Sequence, residues 1–226
     1  MILSLKRARF VEYVSSQLNN LFPDGQMINL NDYSSEFDRA VDRLDFCFKK
    51  ASYSHYFNGD QTFLNHLHAD QYLMFIWFLS NEINKQGKNQ ILSNKLYYLN
   101  KSLHGFDCSY STKLPDIFLI FHGVGTVLGK ASYSDYFVSL QACTIGSHRG
   151  AYPVLGKGVA LAAGSSVIGA CELGSGVSVS ANTHVFNLDV NANKVVYYDY
   201  HAGNLVTKKS VNSYAQDFFN IDIKSL

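Results

Sequence analysis

The sequence predicts an α+β chain: an N-terminal α-helical domain followed by a left-handed parallel β-helix and a C-terminal cap. Three observations carry this expectation. Apolar residues recur at helical spacing before about residue 105, a strict six-residue period takes over beyond residue 120, and that period dissolves after Val185 into turn-rich sequence.

The period is clearest at Leu155, Leu161, Val167, Leu173, Val179 and Val185, with Val159, Ser165, Cys171, Val177 and Thr183 following the first five of these at a constant offset. A helix returns a side chain to the same face about every 3.6 residues and a strand every two, so neither produces a six. A hexad of this kind makes one short strand and a turn, and three hexads close a triangular coil with the aliphatic residue pointing inward. One coil cannot cover its own inner face. Several must stack, and about four are expected, from near Ser109 to about Val185, the earlier hexads being degenerate.

Upstream, Phe37, Ala40, Val41, Leu44 and Phe48 share one helical face, and Leu64, Leu67, Tyr72, Phe75 and Leu79 another. Asp32 or Ser34 is the expected cap of the first helix and Asp60 of the second. Residues 1–104 are therefore read as four or five helices, 105–185 as the β-helix and 186–226 as a cap of short strands, with a short helix over Ser213 to Asn220 closing the solenoid end. The hexads are interrupted twice, from Asn187 onward, where the cap begins, and after Ile145. Ile145 begins one and Leu155 the next, so Gly146 to Val154 holds an insertion, and a loop leaving a regular scaffold is a common place for substrate contacts.

Composition narrows the function classes. With 226 residues, 47% of them hydrophobic, the chain is a folded protein and not a disordered one. Nineteen basic residues against eighteen acidic ones leave +1 with no run of either sign, which argues against a nucleic-acid partner. The longest apolar run, Tyr72 to Leu79, is far short of the roughly 20 residues of a membrane span. The first residues carry their charges after a very short apolar stretch, unlike a secretory signal, so a cytoplasmic location is expected. Cys47, Cys108, Cys143 and Cys171 form no C-x-x-C pair, and His122, His148 and His184 are not spaced as a recurrent ligand set. Reduced, packed thiols and no metal are the expectation.

The segment Phe121-His-Gly-Val-Gly-Thr-Val-Leu-Gly-Lys-Ala131 resembles the Asp-His-Ala-Thr-Gly-hydrophobic-hydrophobic-hydrophobic-Gly motif of the bacterial serine acetyltransferases, which also place a helical domain before a hexapeptide-repeat domain. The resemblance runs from about residue 100 to 185. It includes Ser139-Leu-Gln-Ala-Cys-Thr-Ile-Gly146, which is similar to the family's Leu-Gln-x-Val-Thr-Leu-Gly, and a looser echo around His68, Tyr72 and Trp77. It implies an acetyl-CoA-dependent acyltransferase working as a homotrimer or a dimer of trimers, without a metal. His122 falls on the family's catalytic base, and Asp107, fifteen positions earlier, on its aspartate partner. By the same match, Gly146, Ser147, Ala163 and Ala181 line the acetyl-CoA groove between neighbouring copies.

These residue types suit the chemistry. An alcohol must lose its proton as it attacks a thioester, and an imidazole, with an ordinary pKa of about 6.5, accepts one near neutral pH. A carboxylate on the other ring nitrogen fixes the tautomer and stabilises the imidazolium.

Two departures from the family pattern bear on the acceptor. Phe121 stands where the family has an aspartate that holds the serine amino group, and Ala151-Tyr152 stand where it has an Arg-His pair for the carboxylate. His148 and Arg149 lie nearby in a shorter loop. An ammonium and a carboxylate are costly to desolvate without partners, and an aromatic ring suits a sugar face. With Phe121, His148, Arg149 and Tyr152 as its contacts, the expected acceptor is therefore a carbohydrate hydroxyl, on a nucleotide sugar or a polysaccharide unit. Serine, an amino sugar accepting on nitrogen, and a non-catalytic trimeric scaffold are the alternatives.

Overall fold

In the computed structural model residues 1–87 and 89–225 are described. The chain divides into two compact units, Met1–Lys49 with Tyr53–Ser111, and Lys50–Ser52 with Thr112–Leu226.

The helical unit contains β1 (Ile2–Leu3), α1 (Arg7–Leu21), α2 (Ser34–Phe48), β2 (Phe63–Leu64), α3 (Ala69–Lys85) and α4 (Gln90–His104). The predicted stripe of α2 is its inner face, with Phe37, Ala40, Leu44 and Phe48 all fully buried. There Phe37 meets Phe10 of α1 and Phe75 of α3, ring centroids 5.3–6.0 Å apart. The apolar run lies in α3, buried on every side from Asp70 to Ile83. Among the described residues no helix is long and apolar enough to cross a membrane. Glu82 of α3 is also buried, and it takes Arg43 at 2.6 Å, Arg39 at 3.2 Å and Lys85 at 3.3 Å. Burial pulls its pKa upward, but Arg43 and Lys85 outweigh that and hold it below the usual glutamate value.

The predicted caps are corrected. Neither Asp32 nor Ser34 caps α2: Ser34 is its first residue, reached straight from a 3-10 turn, Leu30–Tyr33, whose own cap is Asn29. Asp60 caps nothing, because α3 begins at Ala69 with His68 Nδ1 accepting from the Gln71 amide at 3.4 Å. Leu64 and Leu67 share a helical spacing yet lie outside the helix. Leu64 is in β2, which pairs in parallel with β1, and Leu67 is 77% exposed. A strand pairing over some sixty residues leaves no local periodicity to read.

The second unit is a parallel β-solenoid built from β3 (Phe118–Ile120), β4 (Val127–Leu128), β5 (Phe137–Ser139), β6 (Thr144–Gly146), β7 (Val154–Leu155), β8 (Ala160–Leu161), β9 (Ser166–Ile168), β10 (Glu172–Leu173), β11 (Ser178–Val179) and β12 (His184–Phe186). Its first face runs β11-β8-β5-β3 and its second β12-β9-β6-β4. The third pairs β10 with β7 and is extended by bridges from Ser132 to Val154 and from Leu173 to Val190. Ser178 pairs with Ala160, His184 with Ser166 and Glu172 with Val154, each eighteen residues earlier, which is three hexads to a coil. About four coils stack. The hexad residues Leu155, Leu161, Val167, Leu173, Val179 and Val185 are at most 1% exposed.

The last coil leads into β13 (Lys194–Asp199), parallel to β11, and then turns into the antiparallel β14 (Asn204–Lys209). The expected helix over 213–220 is a 3-10 turn, Tyr214–Asp217, followed by the buried Phe218 and Phe219. Ser213 Oγ ties this segment to the Gly158 carbonyl at 2.9 Å, and Ala51 bridges Phe219. All four cysteines are buried, and none of them forms a disulfide.

Truncating one stacked residue removes contacts from the coils above and below it. Leu161→Ala is expected to cost about 2–5 kcal/mol in urea unfolding. For Glu82 the folded-state pKa is depressed, so its contribution is present above the ordinary glutamate value and is lost as pH falls through the lowered one. Unfolding followed from pH 6 down to about 2 is therefore expected to show an acid loss of stability that Glu82→Gln reduces.

Candidate active site

His122 lies on the corner between the first and second faces. In its coil this corner runs from Ile120 to Val127, whereas the paired corner below runs from Ser139 to Thr144, so the upper one holds two extra residues. The extra length puts His122 at φ 53°, a left-handed conformation that a residue with a Cβ rarely holds without support. That support comes from the coil below. The Phe121 amide donates to the Ser139 carbonyl at 3.0 Å, the Ala142 amide to the Val124 carbonyl at 2.9 Å, and Thr126 Oγ1 to the Leu140 carbonyl at 2.9 Å. His122 itself is exposed. Phe121 beside it is only 9% exposed, with its ring 5.0 Å from that of Phe218.

Two residues past each first-face strand, the next coils place Gln141, Ala163 and Ala181 on this same corner. Ala163 is half-buried and Ala181 exposed, so no large side chain obstructs this edge at those two levels. Gln141 was not singled out by sequence, although it lies inside the matched segment, and its Oε1 is buried without a hydrogen-bond partner among the described residues.

Gly146 and Ser147 occupy the opposite ends of the second-face strands. Thr144 pairs with Ser166, twenty-two residues on, while Val154 pairs with Glu172, eighteen residues on, so four extra residues leave the solenoid between β6 and β7. They form a tight hairpin. The His148 and Ala151 amides and carbonyls exchange bonds of 3.1 and 3.0 Å around Arg149 at φ 49° and Gly150 at φ 81°. Positive φ at both central residues is the primed turn that matches strand twist. Arg149 is exposed at the tip, the His148 ring packs 4.8 Å from Phe186, and Tyr152 is half-covered by Lys130, whose Nζ sits 4.7 Å over its ring. Within one chain His122, Ala163 and Ala181 thus share one edge of the β4-β6-β9-β12 sheet, and Gly146, Ser147 and the hairpin share the other.

Asp107 belongs to the helical unit, just past α4. Tyr97 donates its hydroxyl at 2.5 Å and Lys101 its ammonium at 2.6 Å. Partial burial raises the carboxyl's pKa, but the bonds from Lys101 and Tyr97 win and hold it below the usual aspartate value.

The helical unit also has a cavity of about 420 Å³ that local sequence does not announce, lined by Ser4, His55, Asn65, His68 and Gln71 with apolar residues of β1 and β2. The His55 and His68 rings stack 5.3 Å apart. Burial, then the neighbouring His68, lowers the His55 pKa. Among the described residues no three His, Cys, Asp or Glu side chains are grouped to hold a metal ion.

Solved structures of similar shape include the serine acetyltransferase of Neisseria gonorrhoeae, with 16% identity over 90% of this chain and 79% of that one and a TM-score of 0.62. The Brucella abortus strain S19 enzyme gives 16% identity over 88% and 74%, TM-score 0.58. Isoform 3 from Entamoeba histolytica, in complex with cysteine, gives 18% over 89% and 74%, TM-score 0.56. The fold is that of the serine acetyltransferases. No protein-family profile matches the sequence, and no curated protein does. At these identities the likeness is one of architecture: a serine acetyltransferase fold has a helical region followed by a left-handed parallel β-helix, and both are present here.

Lys101→Met removes the nearest cation from Asp107. The carboxyl is expected to titrate at higher pH than in the unmodified chain, as read by carbon NMR of the labelled aspartate, with Tyr97 left as its remaining donor.

Proposed function

We propose that the chain is an acetyl-CoA-dependent O-acetyltransferase with His122 as its general base. One observation carries this reading: an exposed histidine, held in a left-handed corner by the coil below, stands at the head of an edge whose residues in the third and fourth coils are alanines. That edge fits the pantetheine arm of acetyl-CoA, because Ala163 and Ala181 put no large side chain in its way.

In the proposed step His122 takes the proton of the acceptor hydroxyl as that oxygen attacks the thioester carbonyl. Collapse of the tetrahedral adduct breaks the C–S bond, and the imidazolium returns its proton to the departing thiolate. Asp107 is assigned as the positioning carboxylate by resemblance, because the serine acetyltransferases place an aspartate at the same fifteen-residue interval before their histidine. Gly146, Ser147 and the Arg149 hairpin lie at the far edge of the sheet, so they would meet acetyl-CoA seated at His122 only from a neighbouring copy. The reading therefore includes an oligomer, which the family resemblance makes a homotrimer or a dimer of trimers, and a chain using acetyl-CoA suits a cytoplasmic setting.

Serine has better support as acceptor than the carbohydrate expected from sequence. Phe121, whose ring suggested a sugar platform, is buried on Phe218, and the solved structures of this shape are named as serine acetyltransferases. His148 and Arg149 on the hairpin are the available partners for its carboxylate.

The test is thiol release from acetyl-CoA with serine and a panel of sugars as acceptors. His122→Ala is expected to lower turnover by about 10² to 10⁴ while leaving acetyl-CoA affinity nearly unchanged. Full activity in that variant would sink the mechanism. Absence of both turnover and acetyl-CoA binding in the unmodified chain would favour a scaffold.

A further inference from the structure

The far end of the solenoid carries a second candidate site, distant in sequence from His122. A cavity of about 540 Å³ is lined by Asn193, Lys209, Ser210, Val211 and Lys224. In the β13–β14 hairpin Lys194 pairs directly opposite Lys209, and like charges in opposed positions of an antiparallel ladder repel. Lys208 belongs to the other face of the hairpin, where its ammonium lies 5.3 Å over the Tyr197 ring. None of Lys194, Lys209 and Lys224 is ion-paired among the described residues. The nearest acid in sequence, Asp222, accepts the backbone amide of Lys224 at 3.0 Å. The Asn193 carboxamide makes no hydrogen bond among the described residues, so it adds an uncommitted N–H₂ donor at the cavity wall.

We propose that this cavity binds a phosphate monoester or inorganic phosphate. Such a group carries about −1.5 to −2 charge and three acceptor oxygens, which matches Lys209, Lys224 and the amide donor of the lining and offsets the repulsion of Lys209 by Lys194 across the hairpin. A nucleic-acid strand fits poorly, because the sequence has a formal charge of only +1 and no long run of basic residues to track a phosphate backbone. Two sources share the chemistry. One is free phosphate, and the other is the 3′-phosphate of acetyl-CoA, which rests on the function proposed above.

The full chain is titrated with inorganic phosphate against chloride at matched ionic strength, following thermal unfolding and phosphorus NMR linewidth. A phosphate-specific rise in Tm of several degrees is expected, lost in Lys209→Gln/Lys224→Gln and kept in Lys208→Gln. Single substitutions at Lys209 and Lys224 are read the same way if the double variant does not fold. No phosphate-specific rise, or an equal rise in the double variant, overturns the proposal. CoA and 3′-dephospho-CoA then separate the sources: a preference for CoA of about tenfold that the double variant abolishes assigns the co-substrate. Equal affinities with the phosphate effect intact assign free phosphate. If the chain binds no form of CoA yet keeps the phosphate effect, the acetyl-transfer reading falls and this site stands.

Discussion

A single coil of this solenoid has an inner face it cannot cover, and the stacking of one aliphatic side chain on the next is the constraint on which the rest depends. Leu155, Leu161, Val167, Leu173, Val179 and Val185 are sealed because each has a counterpart above or below it. Stacking of this kind fixes register as well as stability. Once Ala160 sits over Ser178 and Ser166 over His184, every corner residue has a determined neighbour in the next coil. Ala163 and Ala181 share an edge with His122 for that reason alone. Extra residues must then be expelled outward, as are two at the His122 corner and four in the hairpin.

An open stack also needs ends. At the far end β13 continues the first face, while β14 folds back antiparallel and stops the parallel ladder, with Lys208 and Lys209 on the outer strand to discourage further pairing. The segment after it runs back along the solenoid, where Ser213 holds Gly158 and the Phe218 ring packs against Phe121. The residue beside the proposed base is thus part of the packing of the C-terminal segment. An aspartate there would have to place a charge against an aromatic ring, which gives a physical reason for phenylalanine at 121 independent of any acceptor.

Much of this was legible because it repeats. Six inward residues at equal spacing leave a periodic signal that neither helix nor sheet imitates, and the interrupted hexad after Ile145 located the hairpin. Its conformation was less accessible, since Arg149 at positive φ is not a residue that advertises a primed turn. The helical unit was legible in its stripes and not in its joints. Asp60 and Leu64 looked like the start of a helix because only local spacing was visible, whereas Leu64 is drawn into β2 by pairing with β1, some sixty residues away, and α3 begins only after its local cap at His68. The His55 and His68 cavity was hidden for the same reason. At the proposed site, the motif picked out His122 and Asp107, while Gln141 becomes conspicuous only once its oxygen is seen to be buried without a partner among the described residues.

The hairpin between β6 and β7 leaves the solenoid and returns through one reciprocal pair of backbone hydrogen bonds between His148 and Ala151. Those two bonds act as a clasp. Whatever lies beyond it, here Arg149 and Gly150, is mechanically uncoupled from the stacked coils and can be lengthened, shortened or recharged without disturbing their register. The scaffold and the tip are therefore free to evolve at different rates, one under the demands of packing and the other under the demands of whatever it meets.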